Sequence, residues 1–101
     1  MRITEPIVRL AMRLVMPEYT FEECGLKQTG KDEWTMWTDS YEFKVCYING
    51  EAVLTARFRS TGRMSMVCVL RQHLSKEGVL SVFVKRKYDY RELRRLKNYI
   101  E

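Results

Sequence analysis

Histidine occurs once in this chain of 101 residues, proline twice and glycine five times. Each scarcity excludes something. Gly25, Gly30, Gly50, Gly62 and Gly78 stand alone, so no glycine-rich loop is available to cradle a phosphate. His73 needs an activated nucleophile and an orienting acid to form a catalytic triad, and no such spacing surrounds it. Cys24, Cys46 and Cys68 are odd in number and well separated, which points to reduced thiols in a cytoplasm and not to a disulfide framework. Together with His73 they lack the short ligand spacing of a zinc site, and no metal or other cofactor is expected. No apolar run approaches the ~20 residues of a membrane-spanning helix. The opening "MRITEPIVRLAMRLVMPEYT" sets Arg9 and Arg13 inside its apolar stretch, where a signal peptide needs an unbroken core. A cytoplasmic protein without membrane contact is expected.

Apolar residues make up 46% and charged residues 31% of the chain, a balance that favours a globular fold over disorder. The length suits one domain, residues 1–101. The net charge of +5 is unevenly spread. Residues 18–42 hold seven acids against Lys27 and Lys31, and residues 85–101 hold seven bases against Asp89, Glu92 and Glu101. Whether this polarity survives in space depends on the topology.

Residues 4–16 predict a helix. Thr4 is placed to cap it, Glu5 favours its positive end and Pro6 suits its first turn. Ile7, Val8, Ala11, Leu14 and Val15 recur with helical period. Thr20 and Glu23 have capping-box spacing, and "KQTGKDE" predicts a loop. Asn49-Gly50 is a strong hairpin signal, because a type I′ turn needs positive φ at both central positions. A two-residue turn fixes the register: Tyr47 opposes Ala52, Val45 Leu54, Phe43 Ala56 and Tyr41 Phe58 on one apolar face. Glu42 opposes Arg57, Lys44 Thr55 and Cys46 Val53 on the other. "WTMWT" adds a third strand, with Trp34, Met36 and Thr38 on the apolar face and Trp37 beside Glu42.

Residues 64–76 carry two signals. Met66, Val67, Leu70 and Leu74 fit a helical stripe ending at Gly78, whereas Val67-Cys68-Val69 favours a strand. Length and the polar Arg71, Gln72, Ser75 and Lys76 tip the reading to helix. "VLSVFVK" predicts a strand. A last helix over 90–100 is capped by Asp89 with Glu92 as its box partner, and buries Leu93, Leu96 and Ile100. The expected fold is α+β in the order α-β-β-β-α-β-α: a three-stranded antiparallel meander plus one further strand, with helices packed on the sheet.

Three functional readings follow. The segment "KRKYDYRELRRLKNYI" interleaves bases with tyrosines, a pattern that can track a phosphate backbone. It makes Lys85, Arg86, Lys87, Arg91, Arg94 and Arg95 candidate nucleic-acid contacts, with Arg9, Arg13 and Arg71 as extensions. A non-enzymatic protein that binds nucleic acid, or a protein that handles it, is the leading expectation. The second reading is an interaction or inhibitor module that meets a protein through the acidic-aromatic stretch 18–42, with Trp37 and Glu42 at its centre. Trp37 and the six methionines also leave a homodimer open.

The third reading rests on Glu42-x-Lys44 in "YEFKV". It resembles the acid-x-lysine pair of restriction-endonuclease-like nucleases, whose core runs α-β-β-β-α-β. The resemblance implies that Glu42 holds Mg²⁺ and Lys44 helps position the attacking water. The family's second aspartate on the preceding strand has no counterpart: Asp39 falls in a turn and Asp32 in a loop. An ordinary ion pair between Glu42 and Arg57 accounts for the same residues.

Overall fold

The computed structural model describes residues 2–19 and 25–95. Helix α1 (Glu5–Val15) precedes six strands: β1 (Lys27–Gly30), β2 (Glu33–Trp37), β3 (Tyr41–Ile48), β4 (Glu51–Phe58), β5 (Met64–Leu74) and β6 (Leu80–Tyr88). A short helix α2 (Tyr90–Leu93) follows. The strands form one sheet in chain order, every neighbouring pair antiparallel. The fold is α+β, but among the described residues the order is α-β-β-β-β-β-β-α, and the expected three-stranded meander is part of a sheet of six strands.

The hairpin signal places β3 and β4 in the predicted register, from Tyr41 opposite Phe58 to Ile48 opposite Glu51. Asn49 and Gly50 take the positive φ values that the turn needs, 52° and 79°. Trp34 opposes Val45, Met36 opposes Phe43 and Trp37 opposes Glu42, also as predicted. One face of this sheet carries Met36, Phe43, Val45, Ala52, Leu54, Ala56, Met66, Cys68 and Leu70, and α1 covers it with Val8, Ala11 and Met12. The other face has a smaller cluster of Val53, Met64, Val67 and Leu93. Helices α1 and α2 therefore contribute to opposite faces, and do not share one.

Several expectations fail, each for a physical reason. Residues 64–74 are strand, not helix. From Met66 to Leu70 every side chain is buried, because β5 sits inside the sheet and is covered on both faces. Such a strand reads as an unbroken apolar run, which helical spacing also matches. Its polar end, Arg71 to Leu74, runs past the last β4 partner and pairs only with β6. In "KQTGKDE", Lys27–Gly30 forms an edge strand with all four residues exposed, and exposure on both sides removes the alternation that marks a strand. In α1, Met12 is buried and Leu14 is half exposed, so the buried stripe is rotated towards Met12. Thr4 makes no side-chain capping bond. Thr20, Glu23, Cys24, Leu96 and Ile100 lie outside the described residues.

Two further contacts anchor the N-terminal segment. The backbone N–H of Ile3 donates to Asp32 Oδ1 (2.9 Å), and Trp34 Nε1 donates to the Ile3 carbonyl (3.1 Å). They fix the start of α1 to the β1–β2 turn.

Candidate functional site

The meander converts order along the chain into position across the sheet. Residues 25–42, the β1–β2 side, carry four acids and two bases; residues 63–95, the β5–β6–α2 side, carry nine bases and three acids. The polarity seen in the sequence is therefore a polarity of the molecule.

The predicted basic residues divide into two groups. Lys85 and Arg86 lie near the Asn49-Gly50 turn. A register shift between β5 and β6 makes Val69 oppose Arg86 and Leu70 oppose Val84, which leaves Lys85 as the extra residue. Lys85 Nζ stands 3.4 Å from Glu51 Oε1, and Arg86 Nη2 donates to both Glu51 carboxylate oxygens at 3.2 Å. The single Glu51 carboxylate, shared by both bases, offsets one of the two positive charges there. Lys87 points to the opposite face, opposite Cys68.

Arg91, Arg94 and Arg95 lie on or just beyond α2, at the other end of β6, and all three are exposed. The capping box builds this element as predicted: the Glu92 N–H donates to Asp89 Oδ1 at 2.9 Å, and the Asp89 N–H donates to Glu92 Oε1 at 3.4 Å. Buried Leu93 fastens it to the sheet.

Beside α2 stands the β4–β5 turn, which brings arginines that the sequence reading left out. A cavity of about 480 Å³ opens between them, lined by Arg57, Thr61, Gly62, Arg63, Met64, Tyr90, Leu93 and Arg94. Arg57 Nη1 donates to the Gly62 carbonyl (2.9 Å), so this side chain is braced by the turn it borders. Arg63 Nη1 (3.4 Å) and Arg94 Nη2 (3.5 Å) both reach the Tyr90 hydroxyl. The Arg94 guanidinium also lies 5.2 Å from the Tyr90 ring centroid, in cation–π contact. The hydrogen bond from Arg63, then that from Arg94, holds the Tyr90 phenol below its ordinary pKa. Among the described residues, no carboxylate lines this cavity.

Aromatic rings lead from the core to this end. Phe43 stacks on Tyr41 (5.8 Å), Tyr41 meets Phe58 (5.4 Å), and Phe58 meets Tyr90 edge-on (6.5 Å). Tyr90, which Arg63 and Arg94 both contact, is thereby joined to the core through ring contacts. The signal that could have found them is "RFRSTGR", three arginines in seven residues at a predicted turn. Only the six-stranded order brings that turn beside the C-terminal helix. The extensions proposed from sequence do not join it: Arg71 lies on the part of β5 beyond β4, and Arg9 pairs with Glu5 (3.5 Å) on α1.

Trp37 and Glu42 oppose each other, Glu42 opposes Arg57, and Arg57 opposes Met64. The acidic-aromatic pair thus shares a lateral row with an arginine of the cavity. Lys44 Nζ stands 3.9 Å from Glu33 Oε1. The crossover helix of the nuclease core is a strand here, so the element order no longer supports that resemblance. Among the described residues, no three His, Cys, Asp or Glu side chains gather as a metal site. Cys68 and His73, five positions apart on one strand, point to opposite faces. Among the described residues, no helix is long and apolar enough to cross a membrane.

Compared with known proteins, the chain matches no family model, no curated protein and no solved structure.

Proposed function

We propose that the protein is a non-enzymatic binding module for single-stranded nucleic acid, with the arginine-rich end of its sheet as the contact surface. The observation that carries this reading is the convergence of Arg57, Arg63 and Arg94 on one cavity, flanked by Arg91 and Arg95. Guanidinium forks match phosphate oxygens, and Tyr90 and Phe58 at the same end provide rings on which bases can stack. Lys87 points to the face of Cys68 and α1, away from Met64 and Leu93, and Lys85 and Arg86 contribute little because Glu51 accompanies them. The test is fluorescence anisotropy of labelled single-stranded DNA, RNA and duplex DNA at low and moderate salt. Single strands bind more tightly than duplex and weaken steeply with salt. Absence of binding at low salt refutes the reading. With Mg²⁺ present the labelled strands stay intact; cutting that is abolished by Glu42→Gln revives the nuclease.

A second reading has its own support. Trp37 and Glu42 form a half-buried pair on the sheet face next to Arg57, an aromatic flanked by both signs of charge, as protein interfaces use. A protein partner captured by the wild-type chain and lost on Trp37→Ala, with Arg94→Gln without effect, favours this reading over the first.

A further inference from the structure

The geometry points to the Arg63–Arg94–Tyr90 cavity as a subsite for a phosphate monoester, the group carried at the end of a nucleic-acid strand. This rests on the nucleic-acid reading for the identity of the ligand and specifies which part of it the cavity takes.

Two guanidinium groups converge on one phenol oxygen, Arg63 at 3.4 Å and Arg94 at 3.5 Å, with Arg57 on the same cavity wall. Like charges held together are unfavourable unless something negative is shared between them. Among the described residues, no carboxylate lines the cavity; Asp89 and Glu92 bond backbone N–H groups in the capping box, and Glu42 faces Arg57 across the strands. A neutral hydroxyl accepts both donors but supplies no charge to offset them. An anion entering the cavity meets both forks and the Tyr90 hydroxyl, now free to donate.

The shape selects among anions. A backbone diester carries one negative charge and must leave room for the chain on both sides. A monoester carries ≈ −1.5 to −2 charges at neutral pH and three exposed oxygens, which suits several guanidinium forks meeting at one place. At about 480 Å³ the cavity is far larger than a phosphate alone, and its wall includes the buried, apolar Met64 and Leu93. That leaves room for the sugar or base behind the phosphate. The cavity lies between the turn residues Thr61, Gly62 and Arg63 on one side and α2 on the other.

The experiment compares one single-stranded oligonucleotide bearing either a 5′-phosphate or a 5′-hydroxyl, labelled at its 3′ end, with adenosine monophosphate as competitor. The phosphorylated strand binds about tenfold more tightly. Arg63→Gln with Arg94→Gln abolishes that preference while the 5′-hydroxyl strand loses less. Competition by adenosine monophosphate against the phosphorylated strand alone also supports the assignment. Equal affinity for the two ends, with both weakened alike in the double variant, overturns the monoester subsite and leaves nucleic-acid binding intact. If neither strand binds but adenosine monophosphate does, and the double variant loses it, the subsite stands with a free nucleotide as its source and the nucleic-acid reading falls. The wild-type comparison of ends decides the matter even where a variant folds poorly.

Discussion

Cys68 shows how much a single side chain's surroundings matter. Its side chain is fully buried between α1 and the sheet, and burial pushes the thiol up to about 11, with the charge of Lys87 pulling the other way. The thiol is therefore neutral and unreactive at physiological pH, and native protein resists iodoacetamide at Cys68 at pH 8 while denatured protein does not. The shift is also a statement about stability. The folded form holds its proton above the ordinary value of 9.0, so stability is full below that pH and falls as pH rises towards about 11. Tyr90 acts in the opposite sense, because its depressed value favours folding above the ordinary phenol range. Comparing wild type with Cys68→Ala isolates the thiol: the variant loses that part of the alkaline slope, and an unchanged slope contradicts the account. A second test concerns Gly50, whose φ of 79° is costly for residues with a Cβ, although nothing lies within 4 Å of where that Cβ would stand. Gly50→Ala costs about 1 kcal/mol from backbone strain alone, read as a lower urea midpoint.

At the scale of elements, legibility followed the local chemistry. The β3–β4 ladder was readable because a two-residue turn and a clean alternation specify one register. The capping box at Asp89 and Glu92 was readable because its two bonds depend on residues three apart. Strand β5 was not, because its identity comes from neighbours on both sides and both faces, and nothing local reports them. Substitution separates the two readings. As a helix, the segment puts Val69 on the face of Gln72 and Lys76, where Val69→Ala is nearly neutral. As a doubly covered strand, it buries Val69 completely, and the same change costs about 2 kcal/mol. Asp89→Ala removes the cap of α2 and costs about 1 kcal/mol, and it loosens the hold on Arg94. The arginine site was half legible for the same reason. Arg91, Arg94 and Arg95 belong to a patterned segment, whereas Arg57 and Arg63 reach them only through the pairing of β4 with β5 and β5 with β6.

For the whole molecule, the meander makes charge polarity a structural property. Bases accumulate on the β5–β6–α2 side and acids on the β1–β2 side, an asymmetry that suits the proposed anionic ligand to one region and not the other. Within the basic side, Glu51 divides a paired group, Lys85 and Arg86, from the arginine-rich end. The most direct test compares two double variants in the salt dependence of single-stranded DNA binding. Arg63→Gln with Arg94→Gln weakens binding at least tenfold and makes the slope of log affinity against log salt shallower by roughly 1 to 2, while Lys85→Gln with Arg86→Gln changes either quantity little. The reverse pattern, or no difference between the two variants, contradicts the assignment of the contact surface.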